Sequence, residues 1–128
     1  MKIIRQTYLI SAARQAVWQA LINPVSIDKW GGGPAHMNDK VGTEFTLWGG
    51  DIYGKNIKVV DDRELVQEWF GGKWEKPSKV TFSLKDQSGK TKIDLLHENI
   101  PDSEAKDINE GWKSYYLGPI KELLEEHS

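Results

Sequence analysis

The sequence predicts an α+β fold: a curved antiparallel sheet of about six strands wrapped around a long C-terminal helix, with two short helices after the first strand. Three observations carry this reading. Successive apolar–polar alternating stretches from Glu44 to His97 are joined by Gly/Asp-rich turns, the mark of an antiparallel meander with one buried face. The last stretch of roughly 25 residues carries an apolar stripe at helical spacing. A sheet with one apolar face and an amphipathic helix can satisfy each other only by packing together.

Each element has its own local reason. Residues from Ile3 to Ile10 are rich in β-formers and open the chain as a strand. Ser11 is placed to cap the first helix, and from Ala12 to Ile22 Ala13, Val17, Ala20 and Leu21 share one helical stripe with Trp18 at its edge. Asn23-Pro24 ends that helix and starts a second, since Asn suits a cap and Pro the first helical position. Gly31-Gly32-Gly33-Pro34 stops it near Trp30. Strands come next at Glu44–Trp48, Ile52–Val60 and Glu64–Phe70, then through Val80, Phe82 and Leu84, and through Thr91, Ile93, Leu95 and His97. Asp86-Gln87-Ser88-Gly89 turns the last hairpin. Pro101-Asp102-Ser103 signals the final helix, running to about His127 with Ile108, Trp112, Tyr115, Tyr116, Pro119, Ile120, Leu123 and Leu124 on its stripe. Pro119 should bend it.

Composition bounds the function. A chain of 128 residues is read as one domain, 1–128. With no Cys, a disulfide scaffold, a thiolate zinc site and thiol catalysis are excluded. A net charge of −2 argues against a nucleic-acid partner. No secretory signal pattern and no run of about 18 apolar residues is present, so no membrane partner is expected and the cytoplasm is the default location.

Catalytic and metal motifs are incomplete or missing. Gly89-Lys90-Thr91 resembles the end of a phosphate loop, but the position five before Gly89 is Leu84 rather than Gly. His36, His97 and His127 are too scattered for a metal site, and no Gly-x-Ser-x-Gly elbow occurs. No catalytic residue, metal or cofactor is therefore expected. His97 stands out because alternation puts it on the face of Ile93 and Leu95. There it is either a buried imidazole with both nitrogens bonded or a polar group orienting a ligand in a cavity.

Six Trp in so short a chain are the unusual feature. Large rings fill cores, and they also line apolar pockets. Trp18, Phe45, Trp69, Phe82, Trp112 and Tyr116 are the candidate walls of such a pocket, with Gln67, His97 and Tyr116 as its polar groups. Trp48 and Trp74, near turns, are candidates for a partner surface.

The order of these residues also carries a resemblance. Val17-Trp18-x-Ala20-Leu21, Pro24, Trp30, Gly42-Thr43-Glu44-Phe45-x-Leu47-x-Gly49-Gly50, Gly54 and Trp69 are followed by Val80-Thr81-Phe82 and Thr91-x-x-x-Leu95-x-His97. Ile100-Pro101 and Gly111-Trp112-x-x-x-Tyr116-x-x-Pro119 complete the series. Together they resemble the activator of heat-shock protein 90 ATPase homologue family, within the START-like, helix-grip (SRPBCC) superfamily. The resemblance implies a sheet gripping the C-terminal helix and an apolar cavity between them. It also implies that the eukaryotic co-chaperone's N-terminal module, which carries much of the chaperone contact, is missing from a chain that starts at this first strand. The leading expectation is thus a non-enzymatic binder of a small apolar molecule. The alternatives are a co-chaperone-like partner of a heat-shock-protein-90-type ATPase and, since some START-like relatives are cyclases or hydrolases, a small-molecule enzyme.

Overall fold

A computed structural model of the chain describes residues 2–71 and 75–126; Trp74 and His127 lie outside them. The described residues run β1 (Lys2–Ile10), α1 (Arg14–Ile22), α2 (Pro24–Trp30), β2 (Glu44–Leu47), β3 (Ile52–Val60), β4 (Glu64–Gly71), β5 (Ser78–Gln87), β6 (Lys90–Ile100), α3 (Ala105–Gly111) and α4 (Leu117–Glu126). All strand pairs are antiparallel, in the order β1-β6-β5-β4-β3-β2. The expected helix-grip arrangement is present: β2 to β6 form the meander, β1 closes it beside β6, and the C-terminal helix crosses the apolar face.

Strand alternation sorts the sheet into two faces. Asn56, Gln67, Val80, His97 and Ile4 stand in one cross-strand row, and all five are buried. One position along, Lys55, Glu68, Lys79 and Glu98 alternate in sign across four strands on the opposite face. A one-residue slip would bury this charged row, so the register is strongly specified.

Four local expectations are corrected. Ser11 does not cap α1: Ala13 is the N-cap, with no side-chain bond, and the Ser11 amide instead donates to Glu125 at 3.0 Å. Asn23 does cap α2, accepting from the Val25 amide at 2.9 Å. The last hairpin turns on Ser88-Gly89 alone, both at positive φ, while Asp86 and Gln87 stay in the ladder opposite Thr91 and Lys90. β2 ends at Leu47; Trp48, at φ 49°, opens a 3-10 turn (Trp48–Gly50) that carries its ring toward the helix.

The fourth correction concerns the C-terminal helix. Its irregularity is a π-helical turn at Trp112–Tyr116, just before Pro119, in which the Leu117 amide reaches back five residues to the Trp112 carbonyl. Pro119 offers no amide and crowds the turn before it, so a wider turn there relieves the clash. Gly118 is required by the same geometry, because a Cβ on it would lie 1.9 Å from the Lys113 carbonyl oxygen. The wider turn keeps Trp112 and Tyr116 on the sheet and leaves Tyr115, expected on the apolar stripe, 69% exposed.

Candidate functional site

The aromatic residues gather where the π-helical turn meets β4. Trp69 points inward from β4, and its neighbour on β3 is Gly54. With no side chain at 54, Phe45 from β2 comes within 6.3 Å of Trp69, centroid to centroid. Trp112 stacks on Trp69 at 4.9 Å and 30°. Tyr116 packs against Trp112 at 4.6 Å and Trp30 at 4.5 Å, with Phe82 and Trp48 at 5.8 and 6.0 Å.

Each buried indole N–H in this cluster has an acceptor. Trp30 Nε1 donates to the Ala20 carbonyl at 2.8 Å. Trp69 Nε1 donates to Gln67 Oε1 at 2.8 Å, Gln67 Nε2 to Asn56 Oδ1 at 2.9 Å, and Asn56 Nδ2 to the Asn38 carbonyl at 2.9 Å. Trp112 Nε1 donates to His97 Nδ1 at 3.0 Å, which places the imidazole proton on Nε2, 2.7 Å from Ser78 Oγ. Burial pulls the His97 pKa down to about 4, so the ring stays neutral in the ordinary range. The two stacked indoles are thereby held in orientation by buried polar partners.

Beside this cluster lies a cleft of about 270 Å³, lined by Trp48, Ile52, Trp69, Ile108, Gly111, Trp112, Tyr115 and Tyr116. Among the described residues no charged side chain lines it. Of the expected pocket residues, Trp69, Trp112 and Tyr116 stand in its wall. Trp18, Phe45, Gln67, Phe82 and His97 are buried but do not line it. Gln67 and His97 act one layer behind, through the indoles. Trp48, read from sequence as part of a partner surface, forms one side of the cleft, and Trp74 lies outside the described residues. Asn56 went unremarked in the sequence, although the parity that turns Gly54 inward turns Asn56 inward too. Among the described residues no group of three His, Asp or Glu side chains is placed to hold a metal, and no helix is long and apolar enough to cross a membrane.

Comparison with known proteins supplies the remaining findings. The family model described as "Activator of Hsp90 ATPase homolog 1-like protein" matches residues 11–125. The human activator of 90 kDa heat shock protein ATPase homolog 1 is 22% identical over 94% of this chain and 36% of its own length. A Dictyostelium discoideum activator of the same name type is 33% identical over 66% of this chain and 23% of its own. The chain thus spans about a third or less of these relatives. Among solved structures, an HSP90 activator from Plasmodium falciparum superposes with a TM-score of 0.89 at 22% identity, covering 98% of this chain and 97% of that one. An Aha1 dimer from Colwellia psychrerythraea gives 0.84 at 21% identity, covering 98% and 97%.

Proposed function

The chain belongs to the activator of Hsp90 ATPase homolog 1-like family, and from that premise we propose that it is a non-enzymatic domain that binds a small apolar molecule in the aromatic cleft. The cleft itself carries this reading: three indoles, two phenol rings and Ile52 and Ile108 surround about 270 Å³, with no charged group among the described residues. That volume sits near the small end of ligand pockets, which suits a guest of about one ring. The indoles are held in place from behind by Gln67 and His97, so the walls are set before a guest arrives.

Ethylbenzene is a suitable probe. Titration followed by tryptophan fluorescence should saturate, and Trp48→Ala, which removes one wall, should weaken binding severalfold. An unsaturable signal, or equal affinity in Trp48→Ala, would count against the cleft.

The names of the relatives favour a second reading, a partner of a heat-shock-protein-90-type chaperone, because the Plasmodium falciparum protein called an HSP90 activator is covered along nearly its whole solved chain. Adding this chain to such a chaperone and measuring ATP hydrolysis tests it. A raised rate supports the second reading, and an unchanged rate with demonstrated ethylbenzene binding supports the first alone.

A further inference from the structure

Among the described residues that wall the cleft, Gly111 alone has no side chain. It lies within the C-terminal helix at φ −62° and ψ −37°, helical values open to any residue. Ala is the better residue at such a position. Packing does not explain the glycine either. Gly54 and Gly118 are each required by a carbonyl oxygen that a Cβ would strike, and no such atom stands over Gly111. Apart from its chain neighbours and its own helix backbone, a Cβ there would meet only Tyr115 Cδ2, at 4.0 Å. Helical spacing says where that Cβ would go. Ile108 and Tyr115, three residues before and four after, share its face of the helix, and both wall the cleft. A methyl group at 111 would stand between them, in space that the cleft now holds open.

We infer that Gly111 is a specificity-determining residue of the cleft, whose guest is a flat, neutral aromatic ring laid against the bare helix backbone at 111. This rests on the reading of the cleft as a ligand site. Glycine is the residue that lets a ligand approach the backbone closely. A planar ring is thin enough to use that approach, whereas a puckered saturated ring carries hydrogens on both of its faces. The indoles of Trp48, Trp69 and Trp112 add the same preference, since aromatic pairs gain from offset or edge-on contact. The guest is neutral because no charged side chain stands among the described walls to pair with one, and an unpaired charge is expensive to bury.

Ethylbenzene and ethylcyclohexane form a matched pair of probes that differ in the flatness of the ring, the saturated one being the more hydrophobic. Both are titrated into the wild-type chain and into Gly111→Ala by tryptophan fluorescence, with a thermal melt of each protein alongside. The wild type should bind ethylbenzene more tightly than ethylcyclohexane, against the order of hydrophobicity. Gly111→Ala should melt at the same temperature or higher and lose ethylbenzene affinity about tenfold, the effect of one misplaced methyl group in an apolar pocket. Equal ethylbenzene affinity in the two proteins, or a variant that melts lower, would overturn the role of Gly111 while the cleft survives. Equal or tighter binding of ethylcyclohexane by the wild type would overturn the flat guest. If ethylbenzene does not bind the wild type, the cleft is no ligand site and this inference falls with it.

Discussion

His97 shows how much one side chain can be asked to do inside this core. It accepts from Trp112 and donates to Ser78, and it must be neutral to do both. Its folded pKa of about 4 lies below the ordinary 6.5. The unfolded chain therefore takes up a proton first as the pH falls. Stability from this group is complete above about pH 6.5 and declines toward pH 4, by about 1.4 kcal/mol per pH unit at its steepest. Urea unfolding across that range should show the slope, and His97→Gln should lose that component. Gln67 is tested the same way: Gln67→Leu leaves the Trp69 N–H and Asn56 Oδ1 unmet and should cost about 2–3 kcal/mol. The face occupied by His97 was legible from strand alternation with Ile93 and Leu95. Its partners were not, because alternation assigns a face and says nothing of which side chain fifteen or nineteen residues away will meet it.

At the scale of elements, glycines separate what local pattern dictates from what packing dictates. Gly118 and Gly111 both sit in the C-terminal helix, where Ala is ordinarily the better residue. A Cβ on Gly118 would strike the Lys113 carbonyl, whereas one on Gly111 would meet only Tyr115 Cδ2 at 4.0 Å. Gly118→Ala should therefore lower the melting temperature and disturb the π-helical turn. Gly111→Ala should raise stability by about 0.5–1 kcal/mol, and thermal melts of the two variants provide the comparison. Gly54→Ala should fail more severely, since its Cβ would fall 1.8 Å from the Glu68 carbonyl oxygen in the adjoining strand. The helix was readable from its apolar stripe and the α2 start from Asn23-Pro24. The π-helical turn was not, because a bond over five residues and one over four leave nearly the same apolar periodicity. Trp48 escaped for a related reason. Its strand-like neighbours continue the alternation, yet the adjoining Gly49-Gly50 allows the chain to turn there.

Over the whole molecule, each sheet edge is met by a polar contact from another segment. Thr46 of β2 exchanges two backbone bonds with His36, each 3.0 Å, and Lys121 from α4 donates to the Leu9 carbonyl of β1 at 2.7 Å. The sheet and helix together fill most of the expected central cavity with Phe45, Phe82 and their neighbours, and the remaining space opens at one end, between Trp48 and the π-helical turn. The alternating strands and helical stripe were enough to read the architecture. They could not distinguish a filled centre from an open end, because that depends on how residual volume is shared among rings that are all equally apolar. The most direct test tracks the indole N–H signals by NMR as ethylbenzene is added. Signals from Trp48, Trp69 and Trp112 should shift and saturate together while Trp18, buried outside the cleft wall, stays put. If those three signals remain still, or Trp18 moves in their place, the cleft is not the binding site.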